Sequence, residues 1–162
     1  GIDADAVNCS GAPYDMENSG GGVSHIVIRN GRARNGSGVT VKGTLNQFYN
    51  MLVYGNAAGL QADGTSHLVS NNSVYGNGGS YGLKIVAGTG NRAQNNIVYG
   101  NTSDTIVDNG TSSTVDHNIT SNPLWVDPAN GNFRLQTGSP AIDAGTTLNT
   151  YYNTDIAGNV RV

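Results

Sequence analysis

Val53-Tyr54-Gly55-Asn56, Val74-Tyr75-Gly76-Asn77 and Val98-Tyr99-Gly100-Asn101 are three near-copies of one tetrapeptide, and reading them decides the fold. Extending the register outward gives asparagines at Asn35, Asn56, Asn77, Asn101 and Asn122, spaced 21, 21, 24 and 21 residues apart. A second column reads Arg29, Asn50, Asn71, Asn95 and Asp116, and a third reads Arg32, Val53, Val74, Val98 and Ile119. No heptad runs through this period, and Gly, Asn and β-branched residues make poor helices. Short β-prone runs at residues 26–28 and 83–85 lie between Gly, Asn and Ser clusters, as strands lie between turns. A period of this length fits one rung of a β-solenoid, with each rung pairing about 4.8 Å above the last. The asparagine column then becomes a ladder, because a carboxamide both donates and accepts toward its rung neighbours.

A further strand position recurs at Val39, Leu60, Leu83 and Ile106. Alternation sends these four inward and Thr40, Gln61, Lys84 and Val107 outward. Asp108, polar at an inward parity, marks a loosening of the stack. Residues 1–4 read as another copy of the same strand, followed by an excursion through residues 5–23. The chain is thus expected to begin within a rung, as a portion of a larger surface or secreted protein would.

Composition narrows the function classes. The 162 residues include 24 Gly and 22 Asn, only 12% are charged, and the net charge is −3. Eight Lys and Arg are too few and too scattered for a stripe that tracks phosphates, so nucleic acid is not an expected partner. No apolar run is long enough for a membrane span. A single cysteine, Cys9, allows neither an internal disulfide nor a Cys-based zinc site.

Two segments carry a resemblance to a known family. Asn95-Asn-Ile-Val-Tyr-Gly-Asn101 resembles the repeat of secreted bacterial right-handed parallel β-helix proteins. Asn122-Pro-Leu-Trp-Val-Asp-Pro-Ala-Asn-Gly-Asn-Phe-Arg-Leu135, with Ser139-Pro-Ala-Ile-Asp-Ala-Gly145 after it, resembles a C-terminal segment common among them. The repeat likeness covers residues 24–122 and the tail likeness residues 122–145. Asp155-Ile-Ala-Gly-Asn-Val-Arg161 is similar to the next segment of such chains, which then continue into a further strand and an anchoring or sorting segment. The resemblance and the composition together imply an extracellular or cell-surface location.

The tail also reads from its own chemistry. Asn130-Gly131 is a hairpin-type turn, and Ser139 suits the cap of a short helix with Pro140 at its first position. Trp125, Phe133, Leu135, Ile142 and Leu148 are expected to cover the open end of the stack. The expected fold is therefore all-β, a right-handed parallel β-helix of five to six rungs over residues 1–122, with a cap and tail over residues 123–162.

Candidate chemistry is sparse. Glycoside hydrolysis needs two carboxylates across one cleft, about 5–9.5 Å apart, and the repeat offers no acidic column. Lyase or epimerase action on a uronate polymer needs a base and positive charge to stabilise an enolate. Lys84 and Arg92, with His67, supply those residue types, whereas the plainer reading of Lys84 is an outward edge residue. Asp3, Asp5, Asp15 and Glu17 offer hard oxygen ligands for calcium, or simply a solvated polar loop. No other cofactor is expected. Tyr54, Tyr75 and Tyr99 form a column that suits sugar faces or an aromatic ladder. The leading expectation is a non-catalytic scaffold or carbohydrate-contacting module with polysaccharide as its possible partner. A lyase or epimerase comes second, and a fibre subunit associating end to end comes third.

Overall fold

The computed structural model describes residues 2–7, 14–15, 17–18, 21–148, 155 and 160, with side chains for 24–148, 155 and 160. β1 (Ile2–Val7), β2 (Tyr14–Asp15), β3 (Glu17–Asn18) and β4 (Gly21–Ser24) lead into the long β5 (Val27–Arg34). Three full turns come next. They are β6 (Val39–Thr44), β7 (Gln47–Tyr49) and β8 (Leu52–Tyr54), then β9 (Leu60–Thr65), β10 (Leu68–Ser70) and β11 (Ser73–Tyr75), then β12 (Leu83–Ala87), β13 (Arg92–Gln94) and β14 (Ile97–Tyr99). β15 (Ile106–Asp108), β16 (Thr114–Asp116) and a parallel bridge from Ile97 to Ile119 close a last, thinner turn. The chain is a parallel β-solenoid of about four turns, fewer than the five to six expected.

The coil has three faces. β6, β9, β12 and β15 stack on the first. The start of β5 with β7, β10, β13 and β16 forms the second, and the end of β5 with β8, β11 and β14 forms the third. Each face sends alternate residues inward. Val39, Leu60 and Leu83 meet Phe48, Val69 and Ala93, and both meet Ala33, Val53, Val74 and Val98, all of them buried. Ile106 and Val115 of the last turn are only partly buried, and Asp108 is exposed, so the stack loosens where the sequence suggested.

Each corner is built by a pair of residues. The first adopts left-handed backbone, and the second turns its side chain into the interior. At the corner between the second and third faces the left-handed positions are Asn30, Asn50, Asn71, Asn95 and His117, with φ between 51° and 58°. Asparagine tolerates this conformation better than other non-glycine residues. The next residues inward are Asn72, Asn96 and Asn118. Asn72 Oδ1 accepts from Met51 N–H at 3.0 Å, Asn96 Oδ1 from Asn72 N–H at 3.1 Å, and Asn118 Oδ1 from Asn96 N–H at 2.9 Å. Their amides donate to Phe48, Val69 and Ala93 carbonyls. At the next corner Asn56, Asn77 and Asn101 repeat the pattern, and Asp104 Oδ1 ends it by accepting from Asn101 N–H and Nδ2. The remaining corner carries Asn46, His67 and Asn91.

The register corrects several expectations. The first turn advances 20 residues, so Asn56 Oδ1 accepts from Gly36 N–H, one position past Asn35. Asn35 (φ 58°) instead shares the left-handed place of Gly55, Gly76 and Gly100. Asn122 is also outside the ladder: it is exposed, and its Oδ1 accepts from Leu124 N–H. Asp116 pairs with Gln94, and Ile119 bridges to Ile97, each one place from its expected column. β1 pairs with β5, so residues 1–4 do not copy the Val39 strand; β2 takes that position.

The tail differs as well. β17 (Trp125–Asp127) and β18 (Asn132–Leu135) form an antiparallel hairpin joined by a 3₁₀ turn, Pro128–Asn130, with Gly131 left-handed at φ 79°. Ser139 caps no helix. Its Oγ accepts from Ala141 N–H and donates to the Pro123 carbonyl, closing a single turn.

If the inward carboxamides hold the corners, Asn77→Ala strands the Asn56 N–H and the Val53 carbonyl in the interior. The expected loss is about 3 kcal/mol, read as a lower urea midpoint at unchanged slope, while Ser80→Ala at an exposed loop stays within about 0.5 kcal/mol of the parent. An Asn77→Ala midpoint equal to the parent's would remove the ladder from the account.

Candidate functional site

The expected residues land in different parts of the coil. Lys84 lies outward on the first face, opposite Gln61, with its Nζ 5.6 Å from the Tyr81 ring centroid. Arg92 is exposed at the start of β13 on the second face, where its Nε donates to Gln94 Oε1 at 3.0 Å. Gln94 in turn donates to Asp116 Oδ1 at 2.7 Å. This bond, with His117 beside it, holds the Asp116 carboxyl below its usual range.

His67 is inside the corner at 1% exposure. Its Nδ1 accepts from Asn46 N–H at 3.3 Å, and its Nε2 faces the Asp63 carbonyl at 3.3 Å. Those partners assign the Nε2–H tautomer. Lys84, Arg92 and His67 are therefore divided between one face, another face and the interior. His25 occupies the corner position of Leu45 and Ser66, one place short of His67. Backbone pairing puts Asp3 and Asp5 beside β5, Asp15 beside β6 and Glu17 beside β4. Their side chains are outside the described ones. Among the described residues no three of His, Cys, Asp and Glu gather as a metal site.

The tyrosine column is in register, with Arg34, Tyr54, Tyr75 and Tyr99 on successive turns. Its outward rings receive the tail hairpin. Phe133 meets Tyr54 edge-on with centroids 5.1 Å apart, Trp125 meets Tyr75 at 5.6 Å, and Trp125 meets Phe133 at 5.0 Å. Edge-to-face pairs of this kind add about 0.5–1.5 kcal/mol each beyond area burial. The described hairpin therefore packs on a flank of the coil, and Leu135 and Ile142 remain exposed. The physical reason is the ring surface that the third face offers. Docking leaves Trp125 Nε1 buried without a hydrogen-bond partner. Further along, Asn95 clamps the chain: its Nδ2 donates to Thr146 O and its Oδ1 accepts from Thr146 N–H, both at 2.8 Å.

Between tail and coil runs a groove the sequence did not reveal. One part, about 620 Å³, is walled by Arg32, Asn50, Leu52 and Asn71 on one side and by Trp125, residues 131–135 and Asp155 on the other. The second part, about 440 Å³, lies between His117, Ile119 and the chain at 141–148. Asn71, Asn95, Ile97 and Leu135 line both. The left-handed corner column thus forms the floor of the groove. Comparison with protein-family models, with curated proteins and with solved structures finds no match to this chain.

Burial, partly opposed by Asp63, lowers the His67 pKa below the usual 6.5. The unfolded chain then binds this proton more tightly, so stability is intact above about pH 6.5 and declines as the pH falls toward the folded value. His67→Asn, matching Asn46 and Asn91, should fold and show a shallower loss of melting temperature between pH 7 and 5. An unchanged slope would exclude His67 as its source. Trp125 is the sole tryptophan. Tyr75→Ala should therefore shift its emission to the red and expose the 123–148 segment to limited proteolysis. A parent-like spectrum would mean the hairpin does not rest on that ring.

Proposed function

We propose that the chain is an extracellular scaffold module whose working surface is the groove between the solenoid and its C-terminal hairpin. The observation that carries this reading is the continuity of the two cavities over one column of outward asparagines. Their volumes fall in the range of ligand sites, and their walls combine apolar surface with a few directional polar groups. The solenoid supplies rigidity, since every corner under the groove is fixed by buried carboxamides. Binding fits better than turnover, because the three residues suited to lyase chemistry do not share a surface.

A second reading, polysaccharide contact, draws on the first face. There Tyr81 Oη donates to Gln61 Oε1 at 2.9 Å, and Gln61 Nε2 donates to Thr40 Oγ1 at 3.0 Å, with the Lys84 ammonium over the Tyr81 ring. A ring flanked by amide, hydroxyl and ammonium is suitable chemistry for a sugar.

Backbone amide NMR of the full chain separates the two. Titration with short peptides and with neutral and uronate oligosaccharides should shift the amides of Asn71, Asn95 and Leu135. Shifts confined to Gln61, Tyr81 and Lys84 would transfer the working surface to the first face, and silence at both would overturn the binding reading. Uronate polymers incubated with the protein should yield no unsaturated product. Product formation abolished by Lys84→Ala would restore the lyase reading.

A further inference from the structure

We infer that Asn109 is a site of self-catalysed modification: the Gly110 amide nitrogen, with the Asp108 carboxylate as its base, closes on the Asn109 carboxamide and converts it to aspartate and isoaspartate. The site follows the end of β15 and lines neither part of the groove.

The chain contains five Asn-Gly pairs, beginning at Asn30, Asn35, Asn77, Asn109 and Asn130. Glycine has no Cβ to shield its own N–H, so the five are alike in an unfolded chain. The fold separates them. Asn77 is buried, with Oδ1 accepting from Asn56 N–H and Nδ2 donating to the Val53 carbonyl. Asn30 Oδ1 accepts from Asn50 Nδ2 at 3.2 Å, and Asn130 Nδ2 donates to Asp127 Oδ2 at 2.8 Å. Those three carboxamides are tied down. Asn35 and Asn109 are exposed, and their carboxamides hydrogen-bond to no described residue.

What receives the glycine N–H then divides these two. Gly36 N–H donates to Asn56 Oδ1 at 3.0 Å, within the inner ladder. Gly31, Gly78 and Gly131 likewise donate to neutral groups, the Met51 thioether and two peptide carbonyls. Gly110 N–H instead donates to Asp108 Oδ1 at 2.9 Å, and Asp108 is exposed. A carboxylate within hydrogen-bond reach of the proton to be removed meets the first requirement of a general base. Packing also favours glycine after Asn109. A Cβ on Gly110 would come 2.5 Å from Ser113 Oγ and 3.0 Å from Ile85 Cγ2.

The steps balance with water alone as co-reactant. Asp108 takes the Gly110 amide proton as the nitrogen attacks Asn109 Cγ. The Cγ–Nδ2 bond breaks, and Asp108 returns the proton to the nitrogen that leaves as ammonia. Water then opens the cyclic imide. Opening at Cγ gives aspartate, whereas opening at the backbone carbonyl leaves Gly110 joined through Cγ as isoaspartate. Isoaspartate lengthens the backbone between two anchors, Asn109 N–H on the Ile85 carbonyl at 3.0 Å and Thr111 N–H on the Gly88 carbonyl at 2.8 Å. It thereby loosens a turn whose Ile106 and Val115 are only partly buried.

The test incubates the full chain in mildly alkaline buffer and maps its peptides by mass spectrometry, which separates aspartate from isoaspartate. Asn109 should convert first, about tenfold faster than Asn35, and the five sites should converge in denaturant. Asp108→Asn keeps an acceptor for the Gly110 N–H and removes the base. It should melt like the parent and slow conversion at Asn109 about tenfold. Hydrogen exchange at Thr111 N–H should be faster in the isoaspartate form. Asn35 converting as fast as Asn109 in the folded parent would overturn the inference. So would an undiminished rate in Asp108→Asn, or no conversion at Asn109. Isoaspartate with unchanged exchange at Thr111 would remove the loosening of the last turn.

Discussion

The hydrogen bond that a backbone N–H donates to an inward side-chain acceptor of the following turn is the interaction on which the molecule depends. A three-sided coil must interrupt its β-ladders three times per turn, and each interruption points a peptide N–H at an apolar interior. An unpaired buried donor costs about 1–3 kcal/mol, and the coil would multiply that cost at every corner. Asparagine removes it. Its Oδ1 takes the N–H from the turn before, as Asn72, Asn77 and Asn96 show, while its Nδ2 satisfies a neighbouring carbonyl. His67 marks what is essential, since its ring keeps only the acceptor in the right place and the corner still closes. Asp104 shows how such a column ends: a carboxylate accepts from the last backbone N–H and the last amide together.

This explains how much of the fold the sequence disclosed. The three central copies are legible because the corner rule is chemical, and few residues other than asparagine meet it. The strand column from Val39 through Ile106 is legible because each inward position must be apolar. The outer copies slipped by one because a turn can gain or lose residues at its loops without disturbing the core. The long third turn absorbs two of its extra residues around Gly79 and Ser80 and one as a bulge at Val86. The short first turn carries no such marker. Aligning Asn30 with Asn50 would have found it, since both occupy the left-handed corner position.

The site was far less legible, for a different reason. Periodicity reports what repeats, and the groove is made where something that does not repeat, the tail, lies across something that does. Tyr54 and Tyr75 stand in one column on the outside of the coil, yet nothing local distinguishes a ring awaiting a sugar from a ring awaiting Phe133 or Trp125. Apolar tail residues suggest a cover for the open end, because an uncapped solenoid has a thermodynamic need for one. The rings on the flank offer Trp125 and Phe133 edge-to-face partners that no repeat pattern announces.

The corner pair has two members, and only one is consumed by the fold. The inward residue must hold the neighbouring turn, so its chemistry is fixed. The left-handed residue before it needs only to tolerate positive φ, and its side chain is left pointing out along the corner. Where that residue is glycine, as at Gly55, Gly76 and Gly100, the corner presents nothing to solvent. Where it is asparagine, as at Asn71 and Asn95, the same backbone demand places a carboxamide along the outside of each turn. Asn95 turns that by-product into a grip on Thr146 by the chemistry the inner ladder uses on its own backbone. The side chains along this edge can thus vary while the inner ladder stays intact. The outward residue is free to change among those that accept left-handed backbone, as the histidine at His117 illustrates.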